Sequence, residues 1–122
     1  MEVANRNSVK PFVTKDTAVI REILAPRNSS LRNQSLAEAR VAPGRITEEH
    51  YHQDSEEIYY ILRGRGRMKL EGEVREARAG DGIAIPPGSR HQIENIGTSN
   101  LVFLCCCAPA YRHEDTVLSR GE

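Results

Sequence analysis

The sequence lacks a net charge of either sign. It contains 17 lysine and arginine residues and 17 aspartate and glutamate residues, so its formal net charge is +0 at pH 7. Proteins that bind nucleic acid or lie on anionic membranes usually carry a surplus of basic residues that neutralises phosphate groups. The charge balance therefore predicts no nucleic-acid partner and no membrane partner.

Long hydrophobic runs are also missing. Residues 1–11 contain no apolar core of signal-peptide length, and no later run approaches the length of a membrane-spanning helix. We therefore expect a cytoplasmic protein. A chain of 122 residues can bury a sizeable core without disulfides, which predicts a single domain over residues 1–122.

Cysteines are few, and all three are consecutive, at Cys105, Cys106 and Cys107. An odd number within one apolar run is not the pattern of a secreted disulfide framework. On a β-strand Cys105 and Cys107 share one face while Cys106 faces away, so the three thiols cannot all bind one ion. Two interpretations remain open: small buried hydrophobic side chains, or a Cys105 and Cys107 face that lines an oxidation-sensitive cavity.

What the sequence does contain is a series of short β-like segments with glycine or proline at nearly every junction. Residues 101–108 form an apolar run of strand length, which predicts a central strand. Residues 57–62 are apolar on both faces, which predicts a strand buried on both sides with Glu57 in the interior. We predict a strand over residues 34–41, whereas residues 18–24 fit either a strand or one helical turn. No convincing amphipathic helix interrupts this series, so the fold class is predicted to be all-β.

The two ends of the chain are more polar than its centre. Residues 1–16 are predicted to form an amino-terminal arm or an edge strand, with little chemistry expected there. Residues 109–122 form a carboxy-terminal tail with two aliphatic anchors, whose structure the sequence leaves open. Between them, residues 67–77 alternate around Gly72 as a hairpin with one polar face.

A pair of histidines precedes the strand at residues 57–62. His50 and His52 are one residue apart, so on a strand they face the same way with Cα atoms roughly 6.6 Å apart. Both imidazoles can then reach one ion, and Glu57 follows as a carboxylate in an apolar environment. An alternative is that the two histidines are surface residues, that Glu57 forms an ion pair and that His91 is an ordinary core histidine.

The spacing of these residues resembles the two motifs of the cupin superfamily. The first motif occurs here as Gly44-x5-His50-x-His52-x4-Glu57-x6-Gly64. The second occurs as Gly80-x5-Pro86-x-Gly88-x2-His91-x3-Asn95. The amino-acid sequence of the first motif and of residues 58–62 most resembles that of the mannose-6-phosphate isomerase-like branch.

This resemblance implies a double-stranded β-helix, the jelly-roll-like cupin barrel, with a metal ion inside. The implied ligands are His50, His52, Glu57 and His91. Three imidazoles and one carboxylate suit one divalent transition metal ion, namely Fe, Mn, Ni, Co, Cu or Zn, and leave open positions for a ligand. The resemblance also implies a homodimer, which would cover exposed sheet edges.

Other side chains are predicted to surround the ion. Tyr59 and Ile61 should lie near Glu57, and Ile93 near His91, in a pocket with few polar groups; the alternative is that these side chains simply fill the core. Asn95 completes the second motif. If the tail folds across the barrel mouth, Tyr111 and His113 become lid groups, although His113 also fits a surface position.

The functional prediction is a metal-binding protein with a small-molecule ligand or substrate. One hypothesis is an enzyme acting on a small oxygen-rich molecule chelated to the metal, as an isomerase, a dioxygenase or a lyase. The other is a non-catalytic module that binds or senses a sugar-like molecule. A shared fold does not decide between them.

Overall fold

The computed structural model describes residues 1–120, and strands dominate it, with no α-helix among those residues. Three single 3-10 turns lie at Arg6–Ser8, Pro26–Asn28 and His113–Asp115. The strands are β1 (Phe12–Val13), β2 (Val19–Leu24), β3 (Ser35–Val41), β4 (His50–His52), β5 (Glu56–Arg63), β6 (Arg65–Leu70), β7 (Glu73–Arg78), β8 (Gly82–Ile85), β9 (His91–Asn95), β10 (Leu101–Ala108) and β11 (Thr116–Leu118).

The strands form two antiparallel sheets. The six-stranded sheet has the order β1-β2-β3-β10-β5-β8, and the five-stranded sheet has the order β11-β4-β9-β6-β7. Strands that are far apart in sequence are neighbours in both sheets, as expected for a double-stranded β-helix. The predicted all-β fold class is confirmed, and β10 is a central strand between β3 and β5, as predicted.

The core lies between the two sheets. Along each strand, alternate side chains point inward, so that one face of each sheet is apolar. Ile61 and Phe103 come from the six-stranded sheet and Ile93 from the five-stranded sheet, and each is at most 2% exposed. Because the same alternation puts His50, His52 and His91 on inner faces, the polar site is built into the wall of this core.

The prediction that residues 57–62 are buried on both faces is wrong for the outer face. Tyr59 and Ile61 are buried, but Ile58, Tyr60 and Leu62 are 52%, 44% and 44% exposed. Two facing sheets enclose only one interior, and none of the described residues forms a third layer over this side of β5. An apolar pattern on both faces of a strand does not say what covers the second face.

The ends of the chain extend both sheets. β1 pairs with β2 at the edge of the six-stranded sheet, and residues 19–24, which fitted either a strand or one helical turn, form a strand. In the carboxy-terminal tail, β11 pairs with β4 at the edge of the five-stranded sheet. The predicted hairpin of β6 and β7 is present, and the described residues contain no helix that is long and apolar enough to cross a membrane.

Candidate metal centre

Three histidines converge on the inner face of the five-stranded sheet. β4 pairs with β9 so that His50 lies directly opposite His91, and His52 lies two residues further along β4. One ring nitrogen from each of the three lies within 4.8 Å of the others, and all three side chains are buried. The antiparallel register thus brings together two histidines separated by 41 and 39 residues from the third.

A hydrogen bond at Nδ1 orients the ring of each histidine. Nδ1 of His50 lies 2.9 Å from the carbonyl oxygen of Glu48, and Nδ1 of His91 lies 2.8 Å from that of Ser89. Nδ1 of His52 lies 3.2 Å from Oγ1 of Thr116 on β11. When Nδ1 carries the proton and donates it to these oxygens, Nε2 has a free lone pair that points into the site.

Glu57 reaches the histidines from the opposite sheet. Its Oε1 lies 3.2 Å from Nε2 of His52 and 3.6 Å from Nε2 of His91. Its Oε2 accepts a hydrogen bond from Sγ of Cys107 at 3.3 Å. Within residues 1–120, Glu57 Oε1 and His91 Nε2 are buried atoms without a hydrogen bond of good geometry.

These donor atoms fit a divalent metal ion. Buried polar atoms normally have a partner, so converging unpartnered nitrogen and oxygen atoms indicate that a group belongs between them. Imidazole and carboxylate together are ligands for borderline transition metals. The four residues that the cupin resemblance implies as ligands therefore lie together, with the chemistry that such an ion requires.

The ionisation of the site reflects this crowding. Burial alone would raise the pKa of Glu57, but close polar contacts and charge interactions with His52 and His91 outweigh it and lower the pKa. Burial lowers the pKa of His50, and the opposing attraction of Asp16 is too weak to reverse this. The pKa of His52 is raised because Glu57 outweighs the effect of burial, so a metal ion would have to displace any proton held there.

A small cavity of about 40 Å³ adjoins the histidines. Its walls come mainly from the six-stranded sheet, and they include Tyr59, whose ring centre lies 5.8 Å from that of His91. Tyr111 from the tail also lines it, with its ring centre 6.1 Å from that of His52. Both tyrosines therefore lie where the sequence placed pocket or lid residues.

Four other predicted pocket residues do not line the cavity. Ile61 and Ile93 lie in the adjacent core. Asn95 is near the other end of β9, where Nδ2 donates hydrogen bonds to the carbonyl oxygens of Val41 and Ser99. His113 is exposed in the last 3-10 turn, outside the cavity.

The inner-facing cysteines line this cavity. Cys105 and Cys107 are buried along its wall, while Cys106 faces the other way and is half-buried. Burial raises the pKa of both cavity thiols, and the nearby carboxylate of Glu57 raises it further. The strand geometry predicted from the sequence is confirmed, whereas sensitivity to oxidation stays a prediction.

Asp16 is a site residue that the sequence did not reveal. It belongs to the amino-terminal arm, where little chemistry was expected, yet it is only 7% exposed and lines the cavity. Its Oδ2 lies 3.8 Å from Nε2 of His50, and its Oδ1 accepts a hydrogen bond from Oγ1 of Thr14. No motif surrounds it, and only the three-dimensional path of the arm brings it to the histidines.

The tail also supports the loop between His52 and Glu57. The carboxylate of Asp115 accepts hydrogen bonds from the backbone nitrogens of Asp54 and Ser55, at 2.9 and 3.1 Å. Oγ of Ser55 donates to the carbonyl oxygen of Pro109 at 2.7 Å. The loop between the second histidine and the glutamate of the first motif is thus fixed by residues that lie outside both motifs.

Two facing antiparallel sheets with three histidines and a glutamate between them define a β-barrel protein with a candidate metal centre. The chain belongs to the cupin family, because the family model described as a cupin domain matches residues 37–107. The matched segment contains His50, His52, Glu57 and His91.

Comparison with individual proteins gives further relatives. An uncharacterized protein of Methanocaldococcus jannaschii is 53% identical over 110 residues, which cover 90% of this chain and 88% of that protein. The oxalate-binding protein of Thermotoga maritima is 38% identical over 69 residues, 57% of this chain and 57% of that protein. For several other curated relatives the match spans only 51–62% of the relative's length.

The fold is also similar to solved structures. The crystal structure of a predicted oxalate decarboxylase from Thermotoga maritima superposes with a TM-score of 0.77 and 26% identity. The superposition covers 88% of this chain and 99% of that one. It supports the same arrangement of the two sheets.

Proposed function

We propose that this chain binds one divalent transition metal ion through His50, His52, His91 and Glu57 and acts on a small oxygen-bearing molecule at that ion. The observation that carries the proposal is the convergence of three buried, oriented imidazoles beside an unpartnered carboxylate oxygen of Glu57, which lies 3.2 and 3.6 Å from the Nε2 atoms of two of them. Four protein ligands leave a six-coordinate ion with two positions for other molecules, whereas a structural zinc site is normally closed.

The chain's own residues prepare the site for chemistry on a small molecule. When bound, such an ion supplies Lewis acidity that polarises a coordinated oxygen. Hydrogen bonds at Nδ1 fix the three imidazole rings, and Cys107 fixes one oxygen of Glu57. The buried aromatic rings of Tyr59 and Phe103 line the adjacent cavity and exclude water from that side.

The reaction type follows less directly from these residues. The donor set suits iron, manganese, nickel, cobalt, copper or zinc, and isomerases, dioxygenases and lyases all use such ions. Support for the mannose-6-phosphate isomerase-like branch comes from the amino-acid sequence of residues 50–62 alone. We therefore extend the proposal to a metal-dependent reaction on a chelated ligand and not to one named substrate.

A second candidate is a module that binds a small molecule without turnover. A specific observation favours it, namely the 38% identity to an oxalate-binding protein. The geometry of the ligands serves both functions equally, because a site that holds a chelating molecule need not transform it.

The metal assignment is tested by elemental analysis of protein purified without a polyhistidine tag. We expect close to one transition metal ion per chain in the wild type and a large loss of metal in His91→Ala, because one of four ligands is removed. His113→Ala is the matched control, since that histidine is exposed and lies outside the site. Full metal retention in a folded His91→Ala variant, as judged by circular dichroism, would sink the assignment.

Turnover distinguishes the two candidate functions. The metal-loaded protein is incubated with small chelating hydroxy acids and sugars, and products and oxygen consumption are measured. Conversion that requires metal and disappears in His50→Ala supports an enzyme. Saturable binding with an unchanged ligand supports the binding module.

A further inference from the structure

We infer that the molecule held at this centre is small and uncharged and carries a hydroxyl group, and that Asp16 discriminates against anions; the inference rests on the proposed function. Asp16 is thereby a specificity-determining residue from outside both cupin motifs. This ligand class differs from oxalate, which is named for one relative and for one similar solved structure. Four observations support it.

The first observation is the charge of the cavity wall. Three carboxylates line the cavity, at Asp16, Glu22 and Glu57, and no lysine or arginine among residues 1–120 does so. Sites that bind phosphates or dicarboxylates normally offer arginine or lysine as well as the metal. A dianion placed here would have only the metal ion to balance it.

The second observation is the charge balance that this wall creates. Glu22 is paired with Arg27, whose side chain is largely exposed, and their charges cancel. A divalent ion is then neutralised by Glu57 and Asp16 together. A neutral ligand leaves the buried site without excess charge, whereas an anion would add an uncompensated negative charge, which is costly in a buried environment.

The third observation concerns two polar groups in the cavity wall, the carboxylate of Asp16 and the hydroxyl of Tyr111. Asp16 uses Oδ1 to accept from Thr14, and its Oδ2 faces His50 without an arginine or lysine partner in the described part of the chain. The hydroxyl of Tyr111 is buried without a hydrogen-bond partner, and burial raises the pKa of Tyr111 to about 12, so it stays protonated. One acceptor and one hydroxyl suit a ligand that itself carries a hydroxyl group.

The fourth observation is size. A water molecule needs about 10–15 Å³ of cavity volume. The cavity of about 40 Å³ therefore admits only a few non-hydrogen atoms beyond those bound to the metal. This volume favours small diols, hydroxyaldehydes and hydroxyamides over a sugar phosphate.

The test uses glycolamide and glycolate, which have the same size and the same hydroxyl but differ by one charge. Their affinities for Mn²⁺-loaded protein are measured by calorimetry in the wild type, in Asp16→Asn and in Asp54→Asn. Asp54 is an exposed carboxylate outside the cavity and serves as the matched control. The manganese content of every sample is determined first.

We expect glycolate to bind wild-type protein no tighter than glycolamide, although a carboxylate is ordinarily the better metal ligand. Asp16→Asn should raise the affinity for glycolate at least about tenfold, because a repulsive charge a few ångströms away is removed. Asp16→Asn should change the affinity for glycolamide by less than about threefold. Asp54→Asn should change the affinity for either probe by less than about threefold.

Several results overturn the inference. One is tight glycolate binding to the wild type that Asp16→Asn does not strengthen, and another is failure of glycolamide to bind at all. If Asp16→Asn does not fold or load manganese, the preference of the wild type between the two probes decides. Wild-type protein that retains no manganese would instead refute the proposed function, which distinguishes the two failures.

Discussion

At the scale of single residues, the two carboxylate oxygens of Glu57 have different environments. Oε2 accepts a hydrogen bond from Cys107, which is paired directly opposite Glu57 in the register of β10 and β5. Oε1 faces His52 and His91 without a hydrogen bond of good geometry. The thiol thus holds the carboxylate in the orientation that presents one oxygen to the histidines, as outer hydrogen-bond partners do in metal sites.

We predict that Cys107→Ala weakens metal binding about 10–100-fold, the range typical for loss of such a partner. Cys107→Ser keeps a donor at this position and should stay much closer to the wild type. Cys106→Ala is the control, because that side chain lies on the opposite face of β10. Affinities for Co²⁺ are measured by competition with a coloured chelator, and equal affinity in Cys107→Ala and wild type would refute the role.

The sequence predicted some residues of the site but not others. His50, His52, Glu57 and His91 were predicted as ligands because strand alternation and motif spacing are local properties of the chain. Asp16 was not predicted, because its place beside His50 depends on how the amino-terminal arm packs. A carboxylate between Lys15 and Thr17 carries no local signal of burial.

At the scale of elements, the connection between β5 and β6 is sterically demanding. Gly64 has a φ of 93°, and a Cβ atom there would lie 2.9 Å from the carbonyl oxygen of Asn100 and 3.0 Å from Cα of Leu101. Gly72 has a φ of 83° in the turn between β6 and β7, where a Cβ atom would meet nothing within 4 Å. The two glycines therefore share a backbone conformation but differ in their surroundings.

We predict that Gly64→Ala lowers the free energy of unfolding by about 3 kcal/mol or more, because backbone strain and a clash with backbone atoms add. Gly72→Ala should cost about 1–2 kcal/mol, from the left-handed conformation alone. Urea unfolding of both variants and the wild type, all freed of metal with a chelator, measures the difference. Equal losses in the two variants would contradict the steric explanation.

The elements also show which parts of the fold the sequence could predict. Strands such as β5 and β10 were predicted because their apolar runs are continuous and of strand length. The pairing of β11 with β4 and the hold of Asp115 on the loop before Glu57 could not be predicted, since both join segments about 60 residues apart. Periodicity reports which face of a strand is apolar, but not which distant strand lies beside it.

At the scale of the whole molecule, the outer face of the six-stranded sheet carries an apolar patch. Ile58, Tyr60 and Leu62 of β5 are each exposed by 44% or more, and Leu104 and Cys106 of the neighbouring β10 are half-buried on the same face. Contiguous exposed apolar side chains on a soluble domain often mark an interaction surface. A chain without net charge does not repel a second copy of itself, so this patch supports the homodimer that the cupin resemblance implied.

We therefore propose a homodimer in which the outer faces of two six-stranded sheets pack across a two-fold axis. In such an interface each residue of the patch meets the same patch of the partner subunit, so one substitution changes both sides at once. Tyr60→Glu would bury two like charges in an apolar contact and should produce a monomer. Val74→Glu on β7 is the control, because Val74 is 56% exposed but belongs to the other sheet.

Light scattering at micromolar concentration measures the mass of each protein. We expect a dimer for the wild type and for Val74→Glu and a monomer for Tyr60→Glu. Metal content should be the same in all three, because the outer face of β5 points away from Glu57 and the histidines. A monomeric wild type, or a Tyr60→Glu variant that remains dimeric, would refute this interface.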